Sequence, residues 1–129
     1  MSSVDASYII EKLKFCVGDQ AYHDKVIEDK SFNVTAKVDD YNKSIVINVT
    51  YTLLPFDSYT RTIIHGYLRA YVLSCLADRY KAYEDGYTLT LYMPDFYGRF
   101  TSIKEIQDKS DFYDSNYSNK YYSWIKQRK

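Results

Sequence analysis

The sequence predicts an α+β fold, a two-layer sandwich in which two main helices lie on an antiparallel sheet of three or four strands. Residues 31–54 alternate apolar and polar side chains on both sides of a turn rich in Asp and Asn, which is typical of a β-hairpin with one buried face. Residues 58–83 are the longest stretch with apolar residues at helical spacing, and residues 87–93 return to the alternating pattern. The predicted order is therefore α-β-β-α-β-β, followed by a C-terminal tail that is part helical and part extended.

The first predicted helix covers residues 4–17, where apolar residues follow the i, i+3, i+4, i+7 spacing and Gly18 provides a stop. Residues 19–30 are mostly polar, and we expect a loop with a short helical turn there. The two cysteines, Cys16 and Cys75, both fall in predicted helices among apolar neighbours. We interpret them as reduced core residues, with a disulfide as the alternative.

The central helix at residues 58–83 is the element on which we expect the rest of the chain to pack. Asp57 or Ser58 can cap its first turn, and Asp85-Gly86 ends it. Its apolar residues spread over about half of the circumference at ~100° per residue, which is wider than the stripe of a surface helix. We therefore expect the sheet to cover one side, and the first helix, the tail or another subunit to cover the other.

The last third of the chain contains a turn signal at residues 94–98 and a short fourth strand at residues 99–103. Ser102 and Glu105 also match a capping box, so we expect the strand to end and a helical turn to begin near Ser102. We predict one α+β domain over residues 1–107. Residues 108–129 form an aromatic-rich tail that packs on the domain or on a partner, with a short helix at residues 118–128.

Chain length, charge balance and the length of apolar runs limit the class of protein. The chain has 129 residues with 17 basic and 17 acidic side chains, so one domain without a global basic field is expected. No apolar run reaches the ~18 residues of a membrane span, and the first residues do not resemble a signal peptide. We expect a protein of the cytoplasm or of a virion that is not secreted by a classical signal and does not enter a membrane.

Motifs that carry enzyme chemistry do not occur in the sequence. The glycines are isolated, the two histidines His23 and His65 have no ligands at metal-binding spacing, and no nucleophile motif is present. We therefore predict a protein that is not an enzyme and has no catalytic residue, metal, cofactor or small-molecule substrate.

Tyrosine is the unusual feature, with 16 residues in the chain. Tyr has a rigid apolar body and a polar tip and is enriched in protein interfaces. A second feature is a line of potential cations on the central helix at i, i+4, i+8, which suits phosphate or carboxylate binding. The more ordinary interpretation is a solvated outer face, but no acidic residue close in sequence offsets the line, which keeps the binding interpretation open. The predicted partner-binding residues are Tyr97, Tyr113, Tyr117, Tyr121, Tyr122, Trp124, Arg61, His65 and Arg69.

Two hypotheses for function follow from these residues. The first is a non-enzymatic protein–protein interaction or assembly protein, either a phage-like virion, tail or connector subunit that self-associates or a small inhibitor directed at a host protein. A composition that suits an AT-rich genome is the reason for the phage association. The alternative is a nucleic-acid-binding module that uses the Tyr-, Trp- and Lys-rich tail and the Arg61/His65/Arg69 line. The even charge balance favours the first.

Overall fold

The computed structural model describes residues 4–78 and 86–128, with residues 114–120 and 122 described by their backbone alone. Helices and strands in these ranges follow the order helix, hairpin, helix, hairpin, helix. The elements are α1 (Ala6–Leu13), a π-helical turn (Lys14–Gly18), α2 (Asp19–His23), β1 (Asn33–Asp39), β2 (Ser44–Thr50), α3 (Ser58–Asp78), β3 (Thr88–Met93), β4 (Phe96–Phe100) and α4 (Ile103–Arg128). The predicted α+β class is confirmed.

The sheet has four strands in the order β1-β2-β3-β4, and its central pair differs from the prediction. The outer pairs β1–β2 and β3–β4 are antiparallel, whereas β2 and β3 run parallel, with Ile47 opposite Leu91. The prediction of a purely antiparallel sheet is therefore wrong. The reason lies in the connection, because a helix between two neighbouring strands returns the chain to the end of the sheet where the first strand began.

The N-terminal helix does not stop at Gly18. It passes through the π-helical turn and ends at His23, so residues 19–23 are helical rather than loop. Gly18 has ordinary helical dihedrals, and a Cβ built on it would lie 2.7 Å from Cδ1 of Phe32. The missing side chain thus permits close packing on Phe32 rather than ending the helix.

The C-terminal segment is one helix of 26 residues, so the predicted extended stretch is wrong. Ser102 caps it through a 3.2 Å bond to the Glu105 N–H, and the Glu105 carboxylate accepts from the Thr101 N–H at 2.8 Å. The predicted start near Ser102 is thereby confirmed. Helix α4 runs through residue 107 without interruption, and the division into a domain of residues 1–107 and a tail of residues 108–129 stays a prediction.

Helix α3 lies between the sheet and α4. The Asp57 carboxylate caps it by accepting from the Thr60 N–H at 2.8 Å, as predicted, while its predicted end at residues 83–85 lies outside the described residues. Tyr67 and Ala70 are buried, so the predicted second cover is present within the single chain and α4 supplies it. No helix in the described ranges is both long and apolar enough to cross a membrane.

Candidate interaction surface

The outer face of the sheet is the surface that the described helices leave uncovered. Side chains of a strand alternate between two faces. In β2 and β3 the inner residues are buried, whereas the outer residues are exposed or half-buried. The helices therefore all lie against the inner face, and the outer face is open.

An aromatic pair stands on this outer face. Tyr92 of β3 and Tyr97 of β4 are direct cross-strand partners, with ring centroids 5.2 Å apart and planes inclined by 52°. Their exposed fractions are 43% and 58%, which is high for large aromatic residues. Val46 of β2 is also exposed on this face. Only Tyr97 was predicted as a partner-binding residue, although the alternation of residues 87–93 already places Tyr92 on the same face.

The charged side chains on the outer face of the sheet stand on the two edge strands, β1 and β4. Strand register defines two neighbouring rows across the four strands, which are Lys37–Val46–Thr90–Arg99 and Thr35–Asn48–Tyr92–Tyr97. Neither row contains a carboxylate, and the two cations stand on the edge strands β1 and β4. The centre of the outer face is thus uncharged, with aromatic, aliphatic and small polar side chains.

The hairpin that carries the tyrosine pair is held from its inner side. Arg69 of α3 donates through Nη2 to the main-chain oxygen of Asp95 at 3.2 Å, and its Cζ lies 5.7 Å from the ring centre of Phe96. Phe96 also meets Tyr113 of α4 edge-on, with 5.8 Å between ring centroids. Arg69 and Tyr113, two of the predicted partner-binding residues, therefore position the hairpin within the chain.

His65 lies in a polar cluster beneath the same hairpin. Its Nδ1 is 2.6 Å from the Tyr51 hydroxyl, and its Nε2 is 4.0 Å from a carboxylate oxygen of Asp95. The His65 side chain is only 12% exposed, so the alternative of a solvated outer face is wrong for this residue. No acid close in sequence accompanies the cation line, but the fold brings Asp95 to His65 from 30 positions further along the chain. Arg61 remains exposed.

Burial decides the protonation states in this cluster. It lowers the pKa of His65, and Arg69 and Arg61 act in the same direction, whereas the Asp95 carboxylate partly opposes them. Burial also raises the pKa of Tyr51 far above its ordinary value, so the phenol keeps its proton. In the neutral tautomer that carries its proton on Nε2, the imidazole turns this N–H towards Asp95 and its Nδ1 accepts a hydrogen bond from the Tyr51 hydroxyl.

Two of the described aromatic residues near the C-terminus, Tyr121 and Trp124, pack within the chain. Tyr121 is fully buried and donates its hydroxyl proton to Asp24 at 2.9 Å, so it offers no surface to a partner. Trp124 is half-buried, with Phe56 on one side at 5.0 Å between ring centroids. The side chains of Tyr117 and Tyr122 lie outside the described residues. The cause of the difference is the long helix α4, which turns one side of this segment onto α3.

A groove lies between the π-helical turn and α3, away from the outer face of the sheet. This groove has a volume of about 630 Å³ and is bordered by Phe15, Tyr22, Tyr71 and the two cysteines, which are not joined in a disulfide. Among the described residues no group of three or more His, Cys, Asp or Glu could hold a metal ion.

Comparisons of the chain with protein-family models, with curated proteins and with solved structures gave no match.

Proposed function

We propose that this chain is a non-enzymatic interaction protein that associates with a second copy of itself, or with another protein of a larger assembly, through the outer face of its sheet. The observation that carries the proposal is the exposed Tyr92–Tyr97 pair, which extends from the uncharged centre of that face at Tyr92 to the edge strand β4 at Tyr97. The centres of protein interfaces are depleted of charge and enriched in aromatic residues, and charged residues stand at the rim. Lys37 and Arg99 occupy such rim positions.

The position of the pair on a held hairpin also supports protein contact. Tyrosine contributes most to binding when it is ordered before the partner arrives, because little conformational entropy is then lost. The contacts of Arg69 and Phe96 on the inner side of the hairpin limit the motion of the outer side. A sheet face that exposes apolar side chains is the kind of surface that packs on another sheet.

The test is the mass of the protein in solution, measured by light scattering over a wide concentration range. We expect wild-type protein to exceed the mass of one chain and the double variant Tyr92→Ser/Tyr97→Ser to fall back to it. The control is Tyr41→Ser at the tip of the β1–β2 turn, where the side chain is 94% exposed but lies outside both rows. This control should associate as the wild type does.

A wild-type protein that stays monomeric at every concentration would reject self-association. The inhibitor form, in which the monomer docks on a different protein, would then be tested by co-purification from the native source. Loss of the captured protein in the Tyr92→Ser/Tyr97→Ser variant, and its retention in Tyr41→Ser, would support that form. Retention in both variants would reject the outer face as the docking surface.

The alternative function, nucleic-acid binding, receives less support from the described residues. Of the residues expected to stack on bases, Tyr121 is buried and Trp124 is half-buried, while Arg69 is bonded within the chain. On the outer face the two cations, Lys37 and Arg99, stand alongside one acid, Asp39, which is a small footprint for a polyanion. A titration with labelled single-stranded DNA and RNA at low salt tests this alternative, and we expect no binding.

A further inference from the structure

In the polar cluster beneath the β3–β4 hairpin, His65 and Asp95 approach each other without forming a hydrogen bond. The distance of 4.0 Å between His65 Nε2 and the Asp95 carboxylate is too long for a hydrogen bond. The Asp95 side chain is 81% exposed, whereas that of His65 is 12% exposed, so the carboxylate can move and the imidazole is fixed. The Tyr51 hydroxyl at 2.6 Å from Nδ1 fixes the imidazole further.

Asp95 is also the residue through which the hairpin turns. It has a φ of 60°, the left-handed conformation that Asp and Asn adopt more readily than most residues. Its main-chain oxygen is already bonded to Arg69, so the backbone of the turn has one attachment to α3 and the side chain is placed to make another. Asp95 and Pro94 connect the strands, Met93 and Phe96 form the first cross-strand pair after the turn, and Tyr92 and Tyr97 form the next.

We propose that His65 is a proton-operated latch on the β3–β4 hairpin: when the imidazole binds a proton, the Asp95 carboxylate closes on Nε2 and fixes the turn that carries Tyr92 and Tyr97. A charge-assisted hydrogen bond replaces the long contact of the neutral state. On protonation Nδ1 becomes a donor, and the Tyr51 hydroxyl turns to accept from it while keeping its own proton. Association through the outer face of the sheet is then stronger in acid; this consequence rests on the proposed function, whereas the latch itself does not.

The charged and titratable groups around the imidazole come from three parts of the fold. Arg61 and Arg69 flank it on α3, Tyr51 faces it from the end of β2, and Asp95 faces it from the hairpin turn. Burial opposes protonation, and the two arginines oppose it as well, so the imidazole takes up its proton at a lower pH than an ordinary histidine does. Asp95 is the one carboxylate among these four groups, and the closing motion therefore depends on it.

The latch is tested by amide hydrogen exchange and by NMR titration of the His65 ring between about pH 5 and about pH 8, the window in which histidine titrates. We expect the backbone amides of Met93, Asp95, Phe96 and Tyr97 to exchange roughly twofold to fivefold more slowly at the acid end in wild type than in Asp95→Asn at the same pH, the range expected for one exposed ion pair. Asn keeps the left-handed turn, so the variant removes the charge and leaves the backbone in place. The control is Asp29→Asn, an exposed carboxylate outside the cluster.

The outcomes separate the latch from the proposed function. Acid-dependent protection that is lost in Asp95→Asn and kept in Asp29→Asn, together with a His65 titration displaced to lower pH in Asp95→Asn, supports the latch. Equal protection of the turn in wild type and Asp95→Asn, or an unchanged His65 titration, overturns it, even if Tyr92→Ser/Tyr97→Ser abolishes association. Conversely, a monomeric protein with an acid-protected turn retains the latch and rejects the proposed function.

Discussion

Tyr121 of α4 lies flat on Tyr67 of α3, with ring centroids 3.5 Å apart and planes inclined by only 5°. Both side chains are buried, and the Tyr121 hydroxyl reaches Asp24 beyond the end of α2. One side chain thus joins the C-terminal helix to the central helix and to the N-terminal segment. Through this contact, the mostly polar C-terminal segment contributes a buried side chain to the core.

Truncation of this contact is expected to destabilise the protein strongly. Tyr121→Ala should lower the free energy of unfolding by about 3–5 kcal/mol, the cost of removing a large buried aromatic side chain. Tyr121→Phe keeps the ring and removes the hydroxyl bond to Asp24, and should cost about 1 kcal/mol. Chemical denaturation followed by circular dichroism measures both, with the exposed Tyr41→Ala as a control near zero. Equal losses for Tyr121→Ala and Tyr121→Phe would mean that the stacked rings contribute nothing.

The sequence predicts the parts of this fold that local spacing determines. The alternation of apolar and polar residues in β2 predicts which of its side chains are buried, and the helical spacing of apolar residues in α3 does the same for that helix. Asp57 and Ser102 predict where two helices start. It does not predict the parallel pairing of β2 with β3 or the approach of Asp95 to His65. Both depend on where α3 returns the chain, which is a property of the packed layers rather than of any short segment. Tyr121 illustrates the same limit, because nothing near it in sequence indicates that its ring stacks on Tyr67, which lies 54 positions earlier in the chain.

Gly18 provides a second test of close packing. Gly18→Ala would place a methyl group 2.7 Å from Cδ1 and 2.9 Å from Cγ of Phe32, whose ring is itself buried and stacked on Tyr51. Overpacking of this kind costs about 1–3 kcal/mol, while Ala in a helix gains at most about 1 kcal/mol over Gly. We expect net destabilisation in thermal unfolding.

The matched background for Gly18→Ala is Phe32→Leu, which removes the ring that the methyl group would meet. In that background the same change should cost less or become stabilising, and a double-mutant cycle gives the coupling. A Gly18→Ala variant more stable than wild type would show that Phe32 can move away and that helix propensity dominates at this position.

The cap of α4 is expected to contribute modestly to stability. Ser102→Ala removes the oxygen that accepts the Glu105 N–H and should lower the free energy of unfolding by about 1 kcal/mol. Ser102→Asp supplies another capping oxygen and should restore most of the loss. Urea denaturation of the two variants decides this, and a Ser102→Ala variant as stable as wild type would contradict the role of the cap.

The pH dependence of stability follows from the lowered pKa of His65. In the unfolded chain the imidazole titrates near its ordinary value of 6.5, whereas burial lowers its pKa in the folded protein. The unfolded state therefore binds more protons as the pH falls. The contribution of His65 to the free energy of unfolding is present above pH 6.5 and is lost as the pH falls towards the folded-state pKa. We expect wild type to lose stability as the pH falls below 6.5 and His65→Gln to lose less, with His23→Gln as the matched variant outside the cluster. Asp95→Asn should lose more than wild type, because removal of the carboxylate leaves the protonated imidazole with two arginines and no counter-charge from the hairpin turn. Identical pH profiles for wild type and Asp95→Asn would show that Asp95 does not act on His65 in the folded protein.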